Sequence, residues 1–313
     1  LMLLHGHLEN GADKNPNLPF SEFEGNSLSY QEADLLSNQL ANKLVSEGLE
    51  VGDRFAFLAK NCTEMAIMYY AASKVGAVPV PLNYRLADQE WAYIINDSEA
   101  KLIIVRGNEY SDRINQISSE LKNIKKYISI SLDNSIEKFH DFYDWLSDSS
   151  NEKPTLKIHE NDDVYQMYTS GTTGHPKGAV LLQRNVAANI RQYLNSLTLP
   201  RPSRTLLVAP MYHAAAMINM CGCIAIGGTI VIQEDFIPQD VVDCLANEKI
   251  THTVLVPAMI QACLVSVPNV ASNEYNDLDQ IHYGASPIAP ETLKKAMDVF
   301  KCKFGQGFGM TET

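Results

Sequence analysis

The 313-residue sequence has no C-x-x-C pair, no dense run of lysine and arginine, no low-complexity tract and no internal repeat of solenoid period. Each absence removes a class of protein. The six cysteines, Cys62, Cys221, Cys223, Cys244, Cys263 and Cys302, are scattered through a chain too long to depend on disulfide staples, so they read as reduced core residues of a cytoplasmic protein. With a formal net charge of -12, and residues 122–126 as the densest basic stretch, nothing supplies the clustered cations that displace counterions from a phosphate backbone. No nucleic-acid partner is expected. Leu1 to Leu4 lack the basic flank and the length of a secretory signal. His5 and His7 have no second ligand pair at metal-site spacing and read as solvated residues of a frayed terminus. The stretch 205–233 carries no charge, but Pro210, His213, Asn219 and Gly227-Gly228 cut it into pieces shorter than the roughly 20 residues a bilayer requires, so no transmembrane segment is expected.

What is present is alternation. Ser29-Tyr-Gln-Glu32 is a capping-box pattern, Leu36, Leu40 and Leu44 follow at helical spacing, and Gly48 supplies a stop. Then RFAFLA, a helix over 63–74, AVPVP, a helix over 88–96, KLIIV, a polar helix and KYISI take turns. A second series begins near Arg204: LLVA, an alanine-rich helix, TIVI, a helix over 238–247, HTVLV, a helix over 258–265, QIHYG and a helix over 290–300. Repeated βα units need crossover connections, so the strands should be mostly parallel, with helices on both faces. The expected fold is α/β, with two doubly wound, mostly parallel sheets packed together. The polar segment 133–154, which contains HDFYDWL, reads as a surface excursion from the first series.

The most informative stretch is Tyr168-Thr-Ser-Gly-Thr-Thr-Gly-His-Pro-Lys-Gly178, between a strand ending near Tyr168 and another over 179–182. Gly171 and Gly174 permit positive φ and close backbone approach, while Thr169, Ser170, Thr172 and Thr173 offer hydroxyls and consecutive N–H donors. Lys177 adds positive charge at one end. Such a loop suits phosphate oxygens better than it suits a plain polar turn. It is not a Walker A loop, because Pro176 precedes the lysine and Gly178 follows it, so the magnesium-binding hydroxyl of that motif is missing. Gly305, Gly307 and Gly309 do not make a dinucleotide fingerprint either, since its third glycine would fall on Met310.

YTSGTTGHPKG resembles the phosphate-binding motif of the AMP-forming acyl-adenylate superfamily, which includes acyl-CoA synthetases, coumarate-CoA ligases, luciferases and peptide-synthetase adenylation domains. SYQEADLLSNQLANKLVSEGLEVGD, KVGAVPVPLN, PMYH, YGASPIAPETL and GQGFGMTE are similar to family segments in family order, so the resemblance covers nearly the whole chain. It implies an N-terminal segment over 1–50 packing on the second sheet, a first α/β subdomain with the phosphate loop over 51–198, and a second with the adenine and acyl pocket over 199–313. It also implies that Thr169, Ser170, Gly171, Thr172, Thr173, Gly174, Lys177 and Thr311 bind phosphate, and that Gly284, Ala285, Ser286, Gln306, Gly307, Phe308 and Gly309 surround adenine. Phe308 replaces the family's usual tyrosine, which keeps the stacking face and loses a hydroxyl. Glu312 would hold Mg2+, and Lys177, Thr311 and Glu312 would be the catalytic set. His213, Ala285 and Met310 would face the acid, with His213 orienting it rather than acting as a base, since a carboxylate is already ionised.

The implied reaction is attack of a carboxylate, first of all a fatty acid, on the α-phosphorus of ATP, followed by transfer of the acyl group to CoA. An aryl or coumarate-type ligase is the alternative, and an inactive nucleotide-binding scaffold is the alternative of another class. Retention of Lys177, Thr311 and Glu312 together favours an enzyme, and the absence of an acid over 210–225 counts against amino-acid activation. The implied partners are a small carboxylic acid, ATP and CoA, with a homodimer left open. In the family a ribose-binding Asp, a hinge and a small domain with a further catalytic Lys follow the point where this sequence ends. The 313-residue chain alone is therefore expected to release negligible pyrophosphate, and release at ordinary enzymatic rates by the purified chain would contradict that expectation.

Overall fold

In the computed structural model, which describes residues 1–130, 136–170 and 174–313, the strands are as follows. The first two are β1 (Pro19–Phe23) and β2 (Asn26–Ser29). Next come β3 (Arg54–Leu58), β4 (Val78–Leu82), β5 (Leu102–Arg106), β6 (Lys126–Ile130) and β7 (Phe139–Asp141). The hairpin strands are β8 (Asp163–Thr169) and β9 (Lys177–Leu182). Last come β10 (Arg204–Leu207), β11 (Thr229–Ile232), β12 (His252–Val254), β13 (Gln280–Tyr283) and β14 (Lys303–Gln306).

Two sheets and a hairpin result. One sheet has the order β4-β3-β5-β6-β7, with every neighbour parallel. The other has the order β14-β13-β12-β10-β11-β1-β2 and is parallel except for the β1/β2 hairpin at one edge. β8 and β9 pair with each other, antiparallel, and pack beside β4. The expected pair of mostly parallel α/β sheets is thus what the chain forms. β4 and β11 are buried along their whole length, as strands covered on both faces must be.

The layer between the sheets is the helix Thr63–Val75, in which every residue from Met65 to Val75 is buried. From Met65 to Ala72 its sequence is apolar all round, the mark of a helix with no solvent face. The core around it joins Phe55, Phe57, Ile104 and Ile128 of the first sheet to Leu207, Ile230 and Ile232 of the second. The helix Tyr30–Ser46 begins with the anticipated capping box: Glu32 Oε2 accepts from the Ser29 N–H at 2.7 Å, and Ser29 Oγ accepts from the Glu32 N–H at 3.1 Å. The uncharged stretch 205–233 folds as β10, the helix Ala214–Ala225 and β11, and among the described residues no helix is long and apolar enough to cross a membrane.

Two sequence expectations are corrected. Residues 4–14 are not frayed, because Leu4, Leu8 and Gly11 lie along one side of a helix, Leu4–Lys14, and are buried there. His5 and His7 are accordingly half-buried, burial holds both imidazoles below their ordinary pKa, and His5 Nδ1 meets Ser73 Oγ at 2.8 Å. Nor is HDFYDWL a surface excursion. β7 adds a strand to the first sheet, and the helix Phe142–Leu146 buries Phe142, Trp145 and Leu146 in the central core, with Trp145 Nε1 donating to Glu47 Oε1 at 2.8 Å. Of the segment 133–154, residues 133–135 lie outside the described residues.

The central helix also carries one buried charge. Lys74, 3% exposed, donates to Asp34 Oδ1 at 2.5 Å and to Asn38 Oδ1 at 2.6 Å, and desolvation lowers its pKa. Removing the acid strands that ammonium away from water, so Asp34→Ala should cost about 3 kcal/mol in urea unfolding. Lys74→Met should cost less, since the freed Asp34 carboxylate reaches solvent. Equal losses for the two variants would contradict this.

Candidate functional site

β10, β12, β13 and β14 run in the same direction, so their carboxyl ends share one edge of the seven-stranded sheet, where open α/β sheets receive ligands. Three loops leave from it. After β13, Gly284 lies so close to the next loop that a Cβ there would stand 2.6 Å from the Gly307 carbonyl oxygen, and the Gly307 N–H donates to the Tyr283 carbonyl at 2.8 Å. Only glycine fits at 284. Ala285 follows with φ of +69°, a left-handed backbone rare for a residue with a side chain, and both it and Ser286 are exposed.

After β14 the chain runs through Gln306, Gly307, Phe308, Gly309 and Met310, all exposed, to half-buried Thr311 and exposed Glu312. Phe308 is 99% exposed. No described residue covers its ring. Met310 and Thr313 close a small turn, in which the Met310 N–H donates to Thr313 Oγ1 at 3.1 Å and the Thr313 N–H to the Met310 carbonyl at 3.2 Å.

The third loop leaves β10 and is held from the first sheet. Asn61, 2% exposed, donates through Nδ2 to the carbonyls of Val208 at 3.3 Å and Ala209 at 3.0 Å, and accepts through Oδ1 from the Met211 N–H at 2.8 Å. The hydroxyl of buried Tyr69 donates to the Met211 carbonyl at 2.9 Å. His213 follows as the N-cap of the helix Ala214–Ala225, with Nδ1 accepting weakly from the Ala215 N–H at 3.4 Å. Solvent reaches His213, yet the surrounding protein removes enough water from its ring to hold the pKa below the ordinary value.

The hairpin β8–β9 carries the phosphate-loop candidates. Thr169 is paired with Lys177 where the strands end, Ser170 and Lys177 are exposed, and Gly174 has φ of +128° with open space around it. Gly171, Thr172 and Thr173 lie outside the described residues. The hairpin is tied to the first sheet: Tyr168 donates to Asp97 Oδ2 at 2.6 Å, His175 stacks on Tyr93 at 4.4 Å, and Arg54 binds Gln166 at 2.9 Å and Asp163 at 2.7 Å. The fold thus gathers His213, Gly284, Ala285, Ser286 and residues 306–312 along one sheet edge. Among the described residues, no hydrogen bond or ion pair joins that edge to residues 169–178. Sequence reasoning missed Asn61 and Tyr69; the only signal was an asparagine ending an apolar strand, in LAKN.

A family model described as AMP-binding enzyme matches residues 8–313. The fatty acid-[acyl-carrier-protein] ligase ScoC of Streptomyces coeruleorubidus is 31% identical over 310 residues, which are 96% of this chain and 57% of that protein. The long-chain-fatty-acid-CoA ligase FadD13 of Mycobacterium tuberculosis is 29% identical over 287 residues, 91% of this chain and 55% of that protein. The chain therefore spans little more than half the length of these curated relatives. Among solved structures, an inhibitor-bound N-terminal domain of FACL13 from Mycobacterium tuberculosis superposes with a TM-score of 0.91 at 26% identity, covering 100% of this chain and 77% of that one.

Because Asn61 satisfies three backbone groups at once, Asn61→Ala leaves the Met211 N–H and two carbonyls unpaired, and should destabilise the chain by about 2–3 kcal/mol. A change in the urea-unfolding free energy below about 0.5 kcal/mol, the usual size for a surface substitution, would show that the clamp carries no load.

Proposed function

We propose, from the premise that this chain belongs to the AMP-binding enzyme family, that the protein it forms part of activates a carboxylic acid with ATP. In the first step an acid oxygen attacks the α-phosphorus in line, forming the acyl-AMP anhydride bond as the bond to pyrophosphate breaks. In the second the CoA thiolate attacks the acyl carbon, and AMP leaves. A fatty acid is the first choice of substrate, in keeping with the named substrates of the two relatives. One of them uses a carrier protein, so that thiol is the competing acceptor.

The observation that carries this reading is the Phe308 ring, 99% exposed beside the Gly284/Gly307 contact on a ligand-binding edge. A phenyl ring with no burial to its credit is accounted for by a ligand stacked on it. Gly284, Ala285, Ser286, Gln306, Gly307 and Gly309 would surround a planar base stacked there. On the phosphate side, the N–H and hydroxyl groups of Thr169, Ser170, Gly171, Thr172, Thr173 and Gly174, with Lys177, neutralise the β- and γ-phosphates, while Thr311 donates to the α-phosphate. His213, Ala285 and Met310 border the acid, whose carboxylate needs orientation and no proton removal. The division of labour is then that residues 51–198 hold the triphosphate, residues 199–313 the base and the acid, and residues 1–50 brace the second sheet.

Magnesium fits Glu312 in one mode. Among the described residues no group of three acids, histidines or cysteines could hold an ion, and Mg2+ is commonly held by one or two carboxylates with the phosphates and water completing the shell. The ion would supply charge neutralisation at the phosphates.

The reading is tested on the full-length protein by pyrophosphate release with short, medium, long and aromatic acids, with and without CoA or a carrier protein. Release that requires both an acid and ATP is the predicted result, and no release above the acid-free background with any acid would remove it. Phe308→Ala should weaken ATP binding about tenfold, since base–aromatic stacking is worth about 1–3 kcal/mol, while the unfolding midpoint stays fixed because no described residue packs on the ring.

A further inference from the structure

The face of the second sheet below this edge carries polar atoms that no described residue satisfies. Strand register places Thr205, His252, Gln280 and Lys303 in one row, and Val254, His282 and Gly305 in the next row toward the carboxyl edge. Side chains two apart share a face, so both rows look the same way, toward the helices Gln183–Ser196 and Ala214–Ala225. His252 is 0% exposed, yet among the described residues neither ring nitrogen has a hydrogen-bond partner; His282 Nδ1 and Thr205 Oγ1 are likewise buried and unpartnered there. Such atoms normally cost about 1–3 kcal/mol each, so four together call for an occupant.

The side chains packed around these atoms leave one direction of approach. Tyr193 stands edge-on to His252 at 6.2 Å, fills the room of the missing Cβ of Gly222 and donates to Asn219 Oδ1 at 2.7 Å, which closes the far end. The His252 and His282 rings are 5.6 Å apart, and the His282 ring lies against Gly305. Val254, His282 and Gly305 keep partial exposure, so the approach from the edge leads first to His282, with His252 behind it. Burial and the neighbouring imidazole push the His252 pKa down to about 3, and burial lowers that of His282. Both rings are therefore neutral at pH 7, each with one donor and one acceptor nitrogen. A carboxylate only accepts and an ammonium only donates, whereas a hydroxyl does both.

We propose that His282, backed by His252, receives a hydroxyl at the far end of the acid, so that the substrate class is a hydroxylated acid of aryl or alkyl type. The proposal rests on the acid-activating reading given above and refines its choice of a fatty acid. A step of two residues along the strand, about 7 Å, separates Gly284 from His282, which suits a substituted ring or a short chain.

The test compares kcat/KM for two pairs in the full-length protein: 3-(4-hydroxyphenyl)propanoate against 3-phenylpropanoate, and 6-hydroxyhexanoate against hexanoate. In at least one pair the hydroxylated acid should be favoured tenfold or more. His282→Leu should abolish that preference, and His282→Gln, which keeps a donor and an acceptor, should retain part of it. No preference in either pair would mean that the two histidines hold only water, and the proposal would be wrong. A preference surviving in His282→Leu would overturn it equally, and should that variant not fold, loss of the preference in Thr205→Val together with full retention in His282→Gln would do so. Failure of every acid, hydroxylated or not, would instead remove the acid-activating reading, and this inference with it.

Discussion

Parallel pairing in the second sheet is the constraint on which everything else depends. Because β10, β12, β13 and β14 run the same way, the chain must leave each of them on one side, and His213, Gly284 and Phe308, far apart in sequence, become neighbours along a single edge. Parallel strands tolerate no exposed faces, so the sheet in turn demands its helices. The Thr63–Val75 helix meets that demand for both sheets at once. Its apolar circumference fastens two α/β units together as one core, and the Lys74–Asp34 pair is the one ionic concession near its end.

Two kinds of contact bind the edges of the sheets to each other, and they differ in weight. Lys60 pairs with Asp235 at 2.7 Å and Arg106 with Glu234 at 2.6 Å, but these partners are partly exposed, where an ion pair is worth about 0.2–1 kcal/mol. Asn61 is uncharged and buried, and it satisfies three backbone groups that would otherwise be stranded in the interior. The amide dominates the geometry. It makes the first sheet a template for the loop that presents His213, so the unit expected to hold phosphate also sets the position of a residue expected to face the acid.

Much of this was legible in the sequence, and the misses have a common cause. Ser29 and Glu32 announce a helix because a capping box is local, and the helix Pro238–Asn247 has the bounds its Pro and apolar spacing suggest. β1 and β2 were not foreseen, nor the helix Leu4–Lys14: their partners lie elsewhere, β1 beside β11 and Leu4 under Gln183. HDFYDWL looked polar because Asp141 and Asp144 dominate its appearance, while Phe142 and Trp145 decide where it packs. The same division holds in the site. Gly284 and Phe308 stand in motifs with a recognisable shape, whereas Asn61, His252 and His282 acquire meaning only from strands and loops that folding brings to them.

The central claim is that residues 168–178 close around the phosphates of a nucleotide whose base lies on Phe308, with the acid against the second sheet. A crystal soaked with ATP or a non-hydrolysable acyl-adenylate mimic tests it most directly. Phosphate oxygens within hydrogen-bonding distance of the 169–174 backbone and of Lys177 Nζ, with adenine over the Phe308 ring, are the predicted result. A ligand bound elsewhere, with that hairpin turn empty and Phe308 still bare, would contradict it.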